Sequence, residues 1–179
     1  NNYWVRGNHD DTGAWQATID HWPSMAHSEF GKLRTNISLM PRVGYFKMFV
    51  LQFLEVGGAI SIDRIDRLRR EKEPLTQYWP DEAISADDLA AVNFGLGNRN
   101  VDVLLTHDCS NYTPWRDRLK NDPDSEDNRR KIDKILQQTR PDFHFFGHMH
   151  TQFQFENYFV HNGNYSTESY GLECNPSAM

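Results

Sequence analysis

Three short apolar runs in this chain each end on metal-type polar residues, and that repetition constrains the fold more than any other feature. Tyr3-Trp4-Val5-Arg6 leads into Gly7-Asn8-His9-Asp10, and Val101-Asp102-Val103-Leu104-Leu105 leads into Thr106-His107-Asp108. Phe143-His144-Phe145-Phe146 leads into Gly147-His148-Met149-His150. A short apolar run bounded by turn formers reads as a buried strand. In open α/β sheets, sites gather outside the carboxyl ends of the strands. The layout therefore predicts that Asn8, His107, His148 and His150 meet in one crevice. Neutral imidazole suits Zn, Fe, Mn or Ni, and an Asn carbonyl adds a hard oxygen donor. His148 and His150 are two residues apart, so they face one side only if the backbone stays extended there. They would then serve two adjacent metals, which two-metal phosphoryl-transfer sites hold about 3.5–4 Å apart.

Helices are expected between these strands. Trp15, Ile19 and Trp22 share one helical face, with Asp11 or Thr12 as cap and Pro23 beyond the end. Residues 36–62 are rich in Ile, Val, Phe and Leu and suggest two or three strands, punctuated by Gly57-Gly58. A charged stretch from Asp63 to Lys72 reads as a short exposed helix, and Pro74 to Pro80 as loop. Ser85 with Asp88 resembles a capping box for a helix whose apolar face carries Leu89, Val92 and Leu96. Residues 108–125 read as a long loop. The helix after it points Ile132, Ile135 and Leu136 inward, with its Asp and Arg residues outward. Phe153, Phe155, Tyr158–His161 and Tyr170–Cys174 read as closing strands. This alternation indicates a single α/β domain over residues 1–179.

Bulk composition excludes several classes. A chain of 179 residues, 38% hydrophobic and 13% aromatic, is long enough to bury a core. Its 19 Lys and Arg against 25 Asp and Glu give a net charge of -6, which does not indicate broad capture of nucleic acid. Two cysteines make no disulfide framework and fit a cytoplasmic setting. The apolar run near Phe49–Val56 is broken by Gln52 and Glu55, so no membrane span is expected.

Gly7-Asn8-His9-Asp10, Thr106-His107 and Gly147-His148-Met149-His150 resemble the third, fourth and fifth motifs of the calcineurin-like metallophosphoesterase family. Val56-Gly57-Gly58-Ala59 and Ser61-Ile62-Asp63 are similar to its short bacterial or phage members. The resemblance implies a calcineurin-like β-sandwich flanked by helices, in four α/β/β/α layers. It implies that Asn8, His107 and His148 bind one divalent transition metal and His150 a second, with Mn favoured among Mn, Fe, Zn and Ni. His9 would protonate the leaving oxygen, with Asp10 orienting its imidazole. The activity implied is hydrolysis of phosphomonoesters or phosphodiesters, nucleotides or cyclic nucleotides among them, by a metal-activated hydroxide and without a phosphoenzyme. Oligomeric state and physiological substrate are not encoded in these motifs.

Family members open with an Asp-x-His and then a Gly-Asp motif, and neither precedes Asn8 here. The expectation is an N-terminally incomplete domain, lacking a strand-turn-helix of a few tens of residues. Without those carboxylates the second metal would keep only His150, and the rival reading is a non-catalytic copy of the fold used for interaction or assembly. A nuclease of the same fold is the other alternative. Asp108, beside a ligand, reads as its support; Cys109 reads as a small loop residue. His21, His27, His144 and His161 read as ordinary structural histidines, with His144 packed in its strand. Tyr78-Trp79-Pro80, Tyr112 and Trp115 read as satellites of the core rather than a base-stacking pocket, and Arg64, Arg67 and Arg69-Arg70 as a solvated helix face.

Overall fold

The computed structural model describes residues 2–8, 10–21, 31–34, 37–61, 63–69, 79–97, 99–113, 122–150, 152–160 and 164–172. Two sheets form. The smaller runs β1 (Asn2–Trp4), β3 (Ile37–Leu39), β2 (Gly31–Arg34), with β1 parallel to β3. The larger has the order β4 (Val43–Met48), β5 (Leu51–Val56), β6 (Val103–Thr106), β7 (Phe143–Phe146), β9 (Asn164–Gly171), β8 (Phe153–Val160). Its four inner strands are parallel and its two edge strands antiparallel.

Parallel strands need cover on their faces, and side-chain alternation shows where it comes from. Leu54, Val56 and Leu104 turn to one face of the sheet and meet Ile84, Val92, Val101, Ile132, Ile135 and Leu136 in one buried cluster. The helical members of that cluster lie on α3 (Ala86–Leu96) and α4 (Pro123–Thr139). Each such aliphatic side chain contributes about 1.5–3 kcal/mol when fully buried. The helix α1 (Thr12–His21) lies against β2 and β3 of the smaller sheet. The architecture is the mixed α/β arrangement that the motifs imply.

Caps set the helix ends. Asp11, not Thr12, starts α1, its Oδ1 accepting from the Ala14 N–H at 2.9 Å. Trp22 and Pro23 lie outside the described residues. Ser85 and Asp88 form the reciprocal capping box of α3. The short α2 (Arg64–Arg69) has no fully buried residue, but Arg64 and Arg67 are half-buried in ion pairs rather than on a freely solvated face. The helix α4 begins inside the stretch 108–125 that the sequence suggests as loop, because Asp122 caps it and Pro123 opens it. Nor are all α4 charges outward: Arg129 is buried and its Nε donates to Asn111 Oδ1 at 3.2 Å. The last strand also differs, spanning Asn164–Gly171 where the sequence suggests 170–174, because it pairs β8 along its whole length as a hairpin. No described helix is long and apolar enough to cross a membrane.

The strand register positions the site. Val56 pairs Thr106, Thr106 pairs Phe146, and Phe146 pairs Gly171, so one row marks the carboxyl edge of four parallel strands. Gly57-Gly58, His107 and Gly147-His148 follow that row directly. The chain leaving β1 arrives at the same edge, where the Gly58 N–H donates to the Arg6 carbonyl at 3.2 Å.

Candidate metal centre

Three of the predicted ligands come together at this edge. Asn8 Oδ1 lies 2.9 Å from His107 Nε2, across 99 residues of sequence. The His148 ring stands beside His107 with 5.1 Å between centroids and the planes 61° apart. Two imidazoles and one amide oxygen thus converge, with Asn8 buried and both histidines half-buried. The donor set fits a divalent transition metal, since borderline nitrogens and a hard oxygen are what such ions take. The atoms that would bind it are hydrogen-bonded to each other, Nε2 to Oδ1. Among the described residues, no group of three or more His, Cys, Asp or Glu side chains is gathered for a metal. The cluster is therefore a three-donor set of two imidazoles and one amide.

The backbone around each ligand is tightly specified. An added Cβ on Gly7 would meet the His107 ring at 2.9–3.2 Å, so the imidazole occupies the space a side chain would take. The Gly7 N–H donates to Asp10 Oδ2 at 2.7 Å, closing the turn that carries Asn8. Asp10 therefore braces this turn while Asp11 caps the helix. His9 lies outside the described residues. The Gly147 N–H donates to the His107 carbonyl at 3.1 Å and ties the two histidine turns together.

His148 and His150 are not held on an extended backbone. Both have left-handed φ, 63° and 53°, and the Met149 N–H folds back onto the Gly147 carbonyl at 2.7 Å. The turn sends His148 to His107 and leaves His150 exposed at its end. Left-handed φ in non-glycine residues costs energy and clusters at functional turns.

A buried polar frame supports the ligands. Asn8 Nδ2 donates to Ser61 Oγ at 2.8 Å. Ser61 in turn donates twice to Glu82, from its Oγ to Oε2 at 2.7 Å and from its N–H to Oε1 at 2.6 Å. Burial pushes the Glu82 carboxyl up from its usual range, and the two Ser61 hydrogen bonds pull against that. Beneath His107, Thr106 Oγ1 donates to the Asp108 carbonyl at 2.6 Å and receives a hydrogen bond from His144 Nε2 at 2.8 Å. Asp108 accepts from the Cys109 N–H at 2.8 Å and from Asn128 Nδ2 at 3.1 Å. His144 is fully buried, and desolvation lowers its pKa to about 3. It is the packed strand residue its alternation with Phe143 and Phe145 predicts. Cys109 is buried too, its thiol pushed up chiefly by burial.

Of the other residues weighed from the sequence, Arg64 is held by Asp122, its Nη1 and Nη2 each 2.8 Å from a carboxylate oxygen. Tyr112 is exposed and accepts from Gln137 Nε2 at 2.8 Å. Tyr78, Arg70, Trp115, His27, His161 and Cys174 lie outside the described residues. Sequence reasoning missed Glu82, Asn128 and Thr106 as supports, and found Ser61 only as part of a resemblance. Glu82 sits between Pro80 and Ser85 in a stretch without periodicity, so nothing in its local pattern marks it.

A search of curated proteins returns no match to the chain. The family model described as calcineurin-like phosphoesterase matches residues 1–152. That match takes in β1, all three histidine-bearing turns and the parallel strands β5, β6 and β7 of the larger sheet, and the chain belongs to the calcineurin-like phosphoesterase family.

Proposed function

We propose that the protein hydrolyses small phosphomonoesters or phosphodiesters, with Asn8, His107 and His148 holding one divalent metal. The observation that supports this most is the approach of Asn8 Oδ1 to His107 Nε2 at 2.9 Å with His148 alongside. When bound, divalent cations in such sites supply Lewis-acid polarisation of a phosphoryl oxygen and acidify a water toward neutrality. The chain's own part is to hold and orient. Asn8 contributes its amide oxygen, His107 and His148 their ring nitrogens, and the glycine at position 7 leaves room for His107. His9 is assigned the proton delivered to the leaving oxygen, and Asp10 braces the turn on which it sits. His150 is assigned to a second metal, Mn being favoured for both. Nucleotides or cyclic nucleotides suit this chain better than long nucleic acid does, since its net charge of -6 does not favour a polyanion.

Hydrolysis of bis-p-nitrophenyl phosphate, with and without Mn²⁺, tests this reading. Mn-dependent turnover should vanish on chelation and fall by roughly a hundredfold or more in Asn8→Ala and His148→Ala. Unchanged turnover in either variant sinks the site assignment. Preferred cleavage of single-stranded DNA would make the protein a nuclease of the same fold. Metal binding with neither activity would favour an interaction module.

A further inference from the structure

An Asn amide is a metal ligand only when its oxygen, and not its nitrogen, faces the metal. The hydrogen-bond polarity behind Asn8 decides which. A backbone N–H can only donate, so Glu82 Oε1, 2.6 Å from the Ser61 nitrogen, must accept. As a carboxylate Glu82 has no hydrogen to give, so Oε2 takes the Ser61 hydroxyl proton at 2.7 Å. A hydroxyl has one hydrogen. With it given to Glu82, Ser61 Oγ can only accept from Asn8, at 2.8 Å. The group facing Ser61 must be the Asn8 NH₂, and Oδ1 is turned to His107.

We infer that Glu82 is a positioning residue for the metal centre, acting through Ser61 to fix the Asn8 amide with its oxygen toward His107. All three side chains are buried, with Asn8 3%, Ser61 0% and Glu82 1% exposed, so water cannot substitute for a missing partner. The arrangement also explains Gly57-Gly58. The Ala59 N–H donates to the Glu82 carbonyl at 3.0 Å, which brings this segment against the Glu82 backbone. At Gly58 (φ 117°) an added Cβ would lie only 2.7 Å from that same carbonyl oxygen. Gly58 therefore lets residues 58–61 pass close enough to Glu82 for Ser61 to bridge Glu82 and Asn8, while Gly57 gives the same room beside Arg6. Glu82→Gln is nearly isosteric but reverses the polarity. A Gln NH₂ at the Oε2 position donates to Ser61, whose hydroxyl must then donate toward Asn8, and the Asn8 amide flips its nitrogen toward the metal.

This inference rests on the metal reading above, and the test separates the two. Co²⁺ is titrated into the protein and followed by its visible absorption, with heat of binding as a second readout. Glu82→Gln should weaken Co²⁺ binding by about tenfold to hundredfold, the range seen when supports of metal ligands are removed. In an Asn8→Asp background the same change should cost less than about threefold, because a carboxylate presents oxygen whichever way it turns. Ser61→Ala, which leaves Glu82 in place, should also weaken binding when Asn8 is intact but not in the Asn8→Asp background. Circular dichroism checks that each variant is folded. Equal losses with and without Asn8→Asp would overturn the orienting role, as would binding unchanged by Glu82→Gln. Absence of Co²⁺ binding in the unaltered protein would instead overturn the metal reading, and this inference with it.

Discussion

Asn8 and His107 meet at 2.9 Å because two separate sheets deliver them to one edge, Asn8 after β1 of the smaller sheet and His107 after β6 of the larger. The contact depends on the chain between Arg6 and Asn8 passing hard against the His107 ring. Gly7 makes that passage possible, and its backbone conformation is one any residue can adopt. Gly7→Ala should therefore leave the fold largely intact while displacing the imidazole by several tenths of an ångström. Metal affinity should drop about tenfold, with the thermal midpoint nearly unchanged. A calorimetric titration with Mn²⁺ measures the first and a melting curve the second.

His144 predicts an acid-side instability. The folded chain keeps its imidazole neutral down to pH about 3, because burial penalises the charged form. The unfolded chain's imidazole charges near its ordinary value of 6.5. Between those values the unfolded state binds more protons, so stability that is present above pH 6.5 is lost as pH falls toward 3. His144→Gln, whose amide can still reach Thr106 and Ser169, should lose less stability between pH 7 and pH 5 than the unaltered protein. Urea midpoints at the two pH values give the comparison; parallel losses would contradict it.

Glu55 has the opposite sign. It lies fully buried on β5, and among the described residues neither carboxylate oxygen has a hydrogen-bond partner. Burial raises its pKa well above the usual carboxylate range, Arg42 opposes and Asp88 adds to the rise. Stability is complete below the unfolded pKa and is lost as pH rises through the folded one. Glu55→Gln should therefore raise the urea midpoint at pH 8, by on the order of 1 kcal/mol in stability, and leave it nearly unchanged at pH 4.5. Equal midpoints at pH 8 would show that the charge is accommodated.

The fold, and the meeting of Asn8, His107 and His148 at one edge, were largely legible because each rests on a local pattern. Ser85 and Asp88 at three-residue spacing announce a capping box, and Phe143–Phe146 announces a strand with the correct ends. The three turns that follow apolar strands mark Asn8, His107 and His148 by type and position. What the sequence withheld depends on tertiary approach. Glu82 becomes a partner of Ser61 only once the loop before α3 folds back on residues 57–61, and no periodicity encodes that. The splaying of His148 from His150 likewise arises from two left-handed φ angles at non-glycine residues, where side-chain spacing alone suggests an extended pair.

Asp122 should be the most sensitive surface carboxylate. Its Oδ2 accepts from the Ser125 N–H at 3.0 Å as the α4 cap, and it also binds Arg64. Arg64 first, then the Ser125 bonds, hold its pKa down to about 2. Stability from this depression is present above pH 4 and lost as pH falls toward 2. Asp122→Ala should cost about 1–2 kcal/mol by chemical denaturation, mostly through the cap, since the partly exposed ion pair is screened. Asp122→Ser should recover most of it; no recovery would assign the loss to Arg64 instead.

The most direct test of the metal centre is equilibrium binding of Mn²⁺ to the protein and to Asn8→Ala, His107→Ala and His148→Ala. Saturable binding in the unaltered protein, weakened at least about tenfold by each of the three substitutions, is the predicted result. Binding that is absent from the unaltered protein, or equally strong in all four proteins, would contradict it.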